Sequence, residues 1–292
     1  AVQNFFDPDK TNCINIPFLG QYSVAVVVSS LILAFCVAAI LIGGLKRIAT
    51  VSQIIVPFMA VIYIIFSITL IICNITEIPA AIVTVVKAAF NPSAVTGGVV
   101  GSMIVAMQKG VARGIFSNEA GLGSAAIAHS AADTPGPVQQ GMYGIFECFA
   151  DTIVICSLTA LTIICSGVEI PFGVKPGSEL ITAAFATVFG DKIASTFVAV
   201  ALTLFAFTTI LGWSLYGSRC FQYLFGLKAA SVYKALYVVI IVVGAVSSID
   251  VVWDISDTFN GLMAVPNFIA LIALSPVVIK MTKEYFFDKK PA

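Results

Sequence analysis

Charged residues in this chain are spaced about as far apart as the two faces of a bilayer. Lys10 to Lys46, Arg47 to Glu77, Lys87 to Lys109, Lys192 to Arg219 and Asp257 to Lys280 each bound a charge-free, strongly apolar run. A helix needs about 20 apolar residues to cross the hydrocarbon core. The pattern therefore predicts seven spans, near 22–43, 53–75, 94–116, 141–166, 194–218, 232–249 and 258–280. The fourth carries Glu147 and Asp151 inside it. Helix is the expected form throughout, because lipid offers no partner to an open backbone group. Two stretches between spans, 178–190 and 79–90, read as short amphipathic helices lying on the outer surface.

Composition supports this picture. Hydrophobic residues make up 59% of the 292 and charged residues 10%, against roughly 25% charged in an average soluble domain. Mean hydropathy is +1.04. The expectation is an all-α integral membrane protein forming one transmembrane domain over 1–292. A formal net charge of zero argues against nucleic acid as a partner. The seven cysteines form no CxxC pair and read as small buried hydrophobes. Alternating the spans puts eleven Lys and Arg in one set of loops and four in the other. The positive-inside rule then places the N-terminus outside and the C-terminus in the cytoplasm. The chain begins at Ala1 with a polar, loop-like stretch, so a longer protein extending upstream is expected.

Several places depart from plain lipid-facing helix. Between Ser93 and Ala132, glycines fall at 97, 98, 101, 110, 114, 121 and 123. Gly97–Gly101 and Gly110–Gly114 are GxxxG pairs, which permit close helix packing. Each interior glycine also costs roughly 1 kcal/mol of helix propensity, so their density predicts a helix that breaks. Ser117 and Asn118 are suitable N-caps, with Glu119 then in a first turn. The expectation is a break near 114–118 at the inner end and a new helix over 118–132, serving either as an ordinary cytoplasmic loop or as an inner gate.

Glu147 and Asp151, four apart, would share a helix face. They are expected to face the bundle, with Lys109 or Arg113 as partners. They read either as a structural ion pair or as a coupling-ion or proton pathway. Thr208 and Thr209 lie mid-span and read either as back-bonded hydroxyls or as oxygen ligands for Na⁺. Thr258, Asn260, Pro266 and Asn267 either line a cavity or kink the last span. His129, the only histidine, has no Cys or His cluster around it, so no metal site is expected there.

The run GVARGIFSNEAGLGSAAIAHSAAD at 110–133 resembles the alanine or glycine:cation symporter family, the sodium:alanine symporters. Gly110 through Ala125 carry the most specific match. GGLKRIA at 43–49, VPFMA at 56–60, DTIVICSLTAL at 151–161 and GWSLYGSRCFQYLFG at 212–226 extend the resemblance over nearly the whole chain. One departure is Gly217-Ser218-Arg219-Cys220, where the family usually shows GERC.

The resemblance implies a LeuT-type inverted-repeat core of about eleven spans, of which this chain would carry roughly the last seven. The first broken helix, with its GTGN-type turn, would lie upstream. It implies sodium-coupled symport of a small neutral amino acid, alanine or glycine, by alternating access in the plasma (cytoplasmic) membrane. No cofactor is implied beyond Na⁺ as coupling ion. Gly98, Gly101, Ser102 and Met107 would line the substrate site, and Thr208 and Thr209 would hold Na⁺. Gly114, Asn118, Glu119, Glu147 and Asp151 would serve gating or coupling. An intramembrane enzyme using Glu147 and Asp151 as acid and base lacks any nucleophile motif or metal site. A channel would be expected to show a filter or charge rings, and neither is visible.

Overall fold

The computed structural model describes residues 5–7, 13–16, 20–90, 99–170, 177–247 and 249–287. The described residues are helical apart from loops and one antiparallel hairpin. That hairpin, a local exception to the all-α expectation, pairs β1 (Cys13–Ile16) with β2 (Gly20–Ser23), Cys13 opposite Ser23. Among the described residues, five helical stretches are long and apolar enough to cross a membrane: Val24–Ile42, Gly44–Cys73, Pro137–Cys165, Asp191–Ala245 and Val251–Phe287. The chain divides into two compact units.

The first unit covers 1–87 and 157–248. Its helices are α1 (Val24–Ile42), α2 (Gly44–Cys73) and α3 (Ile78–Phe90). The numbering resumes in this unit with α7 (Ser157–Cys165), α8 (Ser178–Phe189) and α9 (Asp191–Ala245). Helix α1 buries Ser30, Ala34, Val37 and Leu41, a stripe at three- and four-residue spacing, as one face of a helix must. Val37 and Leu41 close on Ile48 of α2 and Leu211 of α9 to form a core.

Helix α9 has 55 residues, about 80 Å at 1.5 Å per residue and far more than a bilayer's core. It resolves this by turning at Gly226, whose φ of 84° and ψ of 178° lie in a region open essentially to glycine alone. The second arm packs back on the first. Tyr237 Oη donates to the Ile210 carbonyl at 2.9 Å. A Cβ on Gly217 would overlap the Tyr233 ring, so the two arms approach as closely as a bare glycine allows.

Helix α8 does more than lie on a surface. Ala184 and Phe185 are fully buried, and Phe185 and Phe189 join Tyr63, Phe66 and Phe197 in an aromatic cluster. Its apolar face meets protein rather than the membrane plane. The cysteines also differ from expectation. Only Cys165 is buried, and five of the seven are exposed.

The second unit covers 88–156 and 249–292. It contains α4 (Val99–Asn118), α5 (Ser124–His129), α6 (Pro137–Cys148), a π-helical segment Phe149–Cys156, and α10 (Ile249–Phe287). None of the most apolar window of α10 is buried within the chain. Apolar surface on this scale is not left to water.

Candidate functional site

The second unit gathers most of the polar groups singled out above around one break in its helices. Helix α4 runs unbroken from Val99 to Asn118, so the break expected near 114–118 begins later. Gly110 and Gly114 have open space where a Cβ would stand. Among the described residues, neither supports the close packing that the second GxxxG pair allowed. Of the residues expected to line a substrate site, Gly98 lies outside the described residues. Gly101 and Ser102 sit in the first turns of α4, and Met107 is exposed.

Asn118 ends α4 rather than capping a new helix. Its Oδ1 accepts from the Ala120 backbone N–H at 2.9 Å, and its Nδ2 donates to Thr152 Oγ1 at 2.9 Å. Glu119 does not open a helix either. At φ 54° it is left-handed, as are Gly121 and Gly123 at 89° and 82°. Three such residues in five cannot be helical. Helix α5 begins only at Ser124, whose hydroxyl donates to Glu119 Oε2 at 2.8 Å. Ser117 faces the other way and donates to Asp151 Oδ2 at 2.6 Å.

The break packs against α10. A Cβ on Gly123 would stand 2.9 Å from Asn267 Oδ1, and one on Gly121 would stand 3.5 Å from the Phe268 ring. Asn267 and Phe268 occupy the middle of α10, about 27 Å from its start at 1.5 Å per residue. The break thus lies beside the middle of an apolar helix. There every unwound backbone group must find a protein partner.

Arg113 is held one turn above the end of α4. Its Nη2 donates to both Asp257 carboxylate oxygens, at 2.6 and 2.5 Å. Its guanidinium carbon lies 4.1 Å from the centroid of Trp253, close enough for a cation–π contact. The expected pairing of Arg113 with Glu147 or Asp151 is therefore corrected to a pairing with Asp257. Glu147 and Asp151 part company as well. The π-helical segment begins at Phe149, and its wider turn alters the angle between residues four apart. Glu147 is 65% exposed and lies 3.2 Å from His129 Nε2, while Asp151 takes the Ser117 and Thr152 hydroxyls.

Thr208 and Thr209 belong to α9 in the first unit. Thr208 Oγ1 donates to the carbonyls of Leu204 and Phe205, both at 3.1 Å, and Thr209 is exposed. Among the described residues, no group of three or more His, Cys, Asp and Glu is placed to hold a metal ion. Sequence reasoning missed Asp257, Thr152 and Ser124. Asp257 showed only as the boundary of a charge-free run, and nothing local distinguished the other two from ordinary helix hydroxyls.

Residues 2–292 match the family profile described as the sodium:alanine symporter family. An uncharacterized transporter of Haemophilus influenzae is 44% identical over 95% of this chain and 61% of its own length. The sodium/alanine symporter AgcS of Methanococcus maripaludis is 40% identical over 94% of this chain and 60% of its own. The amino-acid carrier protein AlsT of Bacillus subtilis is 38% identical over 98% and 60%. The chain thus spans about three fifths of the length of these relatives.

Proposed function

The chain belongs to the sodium:alanine symporter family, and we propose that it forms the larger part of a carrier coupling Na⁺ entry to uptake of a small neutral amino acid. The family is one of transporters, and the apolar helices make this chain part of a multi-pass membrane protein. Alanine or glycine is the proposed substrate, moved by alternating access through a LeuT-type core of which these residues supply seven spans. The C-terminus is proposed to be cytoplasmic.

The observation that carries this reading is the break at Glu119–Gly123 beside the middle of α10. Non-helical backbone at that depth is tolerated where it is buried in protein or lines a cavity, and transporters use such breaks around their substrates. Gly101 and Ser102 of α4, with Gly98 and Met107, are proposed to face the substrate. Gly114, Asn118, Glu119, Glu147 and Asp151 are proposed to carry the rearrangement that opens the site to one side. Ser117–Asp151 and Asn118–Thr152 tie the break to the π-helical segment, and π-helical turns frequently mark functional sites.

Thr208 and Thr209 are proposed as Na⁺ ligands. A threonine that gives its proton to a carbonyl keeps its oxygen lone pairs for a cation. No cofactor is required beyond Na⁺. The test is uptake by the full-length protein in proteoliposomes, with labelled alanine, glycine and a larger neutral amino acid. Uptake of the small substrates should follow an inward Na⁺ gradient and saturate. Absence of gradient-driven uptake of any of them would overturn the reading.

A further inference from the structure

The first unit holds a polar cavity, of about 180 Å³, at the end where two helical turns meet. One turn is the α1–α2 junction at Gly43 and Gly44, and the other is the reversal of α9 at Gly226. Leu41 and Gly44 line the cavity from the first, and Leu227 and Ala230 from the second. Reversals between apolar helices of these lengths fall at a membrane–water boundary, so the cavity opens at headgroup level.

Its charge is one-sided. Arg219 and Lys234 both line it, and among the described residues no carboxylate does. Arg219 spends one N–H on Gln222 Oε1 at 3.3 Å, which leaves most of a five-donor guanidinium facing an uncompensated site. The hydroxyls of Ser214, Ser218 and Ser231 do not supply donors, because they give their protons to the Leu211, Leu215 and Leu227 carbonyls. Recognition there falls to the two cations and the Gln222 amide. Two cations sharing a pocket repel each other unless an anion lies between them.

The rim differs from the floor. Tyr223 is 90% exposed and Leu227 72%, with Leu224 and Phe225 both at 66%. Apolar side chains standing out beside a cationic pocket suit a ligand with an anionic head and hydrocarbon tails better than a free ion.

We propose that this cavity binds the phosphate of an anionic phospholipid, with Arg219 and Lys234 as its charged ligands and the Tyr223–Leu227 ridge against its acyl chains. The site is separate from the substrate and Na⁺ residues proposed above and does not depend on what is transported.

The test uses the full-length protein, delipidated in detergent and titrated with phosphatidylglycerol or phosphatidylcholine under native mass spectrometry. Phosphatidylglycerol should be retained in preference to phosphatidylcholine. A basic side chain near the surface contributes roughly fivefold, so Arg219→Gln with Lys234→Gln should weaken retention roughly 25-fold. Gln222→Glu, isosteric with the glutamine that Arg219 contacts, adds a carboxylate while keeping both cations; it should also abolish the preference, and it decides the matter if the double variant fails to fold. Lys192→Gln, at the start of α9, should leave retention unchanged. Equal retention of the two lipids, or wild-type retention by Gln222→Glu, would overturn the proposal. So would inorganic phosphate that binds as tightly as phosphatidylglycerol, which would make this a soluble-anion site.

Discussion

Arg113 and Asp257, 144 residues apart, form a single clamp: one guanidinium nitrogen serves both carboxylate oxygens while the cation lies over Trp253. The clamp pins the last turns of α4 to the first third of α10, just before the break. The two side chains are 37% and 29% exposed, so solvent screening keeps the pair's contribution modest, about 1 kcal/mol. Asp257→Asn is therefore expected to lower the melting temperature of the full-length protein in detergent by a few degrees. Arg113→Lys keeps the charge but loses the flat guanidinium over Trp253, and should cost at least as much. An Asp257→Asn protein that melts with the wild type would show that the clamp contributes nothing.

Gly123 is constrained twice. Its φ of 82° is left-handed, and a Cβ there would crowd Asn267 Oδ1 at 2.9 Å. Gly123→Ala should cost about 2 kcal/mol or more, from backbone strain and the clash together. Adding Asn267→Ala removes the clash but leaves the strain, so the double variant should recover only part of the loss. A thermal-unfolding cycle over the four proteins reads this directly, and full recovery would show that the backbone strain is negligible.

Two glycines in the first arm of α9 should respond in opposite directions. A Cβ on Gly217 would overlap the Tyr233 ring, whereas one on Gly212 would meet nothing within 4 Å. Gly217→Ala is expected to destabilise by about 2 kcal/mol through overpacking. Gly212→Ala should be neutral or stabilising by up to about 1 kcal/mol through helix propensity. Similar melting shifts for the two would contradict the close approach of the arms.

Thr208→Val keeps the branched shape of the side chain and removes its hydroxyl. On the proposed Na⁺ role, half-maximal Na⁺ for alanine uptake should rise about tenfold, the equivalent of one lost ligand at roughly 1.4 kcal/mol. Thr208→Ser should retain most of the affinity. Unchanged Na⁺ dependence in Thr208→Val would leave the hydroxyl only its helix back-bond.

Much of the local structure was legible because it depends on local properties. The density of glycines signalled a break in helix, but the positive φ values fall at Glu119, Gly121 and Gly123, inside the helix expected over 118–132. The helix start at 118 was misread because Asn118 suits either end of a helix. Its side chain turns a cap at an N-terminus and an Asx turn at a C-terminus with the same atoms, and only the positive φ of Glu119 distinguishes the two. The burial of α8 was misread for a related reason: an apolar face on a short helix looks the same whether it meets lipid or Phe66 and Phe197.

The sequence alone determined that this chain is helical, apolar over membrane-spanning lengths, and related to sodium:alanine symporters. Those properties follow from runs of consecutive residues, which the bilayer's thickness and an ungapped motif read directly. Tertiary structure decided which charge Arg113 meets, how Glu147 and Asp151 divide, and which residues of α10 stand against the break. Each depends on which helices are neighbours and on the angle at which a side chain leaves its axis. Asp257 reaches Arg113 because Phe116 and Trp253 bring the side chains of α4 and α10 together at this one point, and a π-helical turn between two acids changes their directions without changing their spacing in sequence.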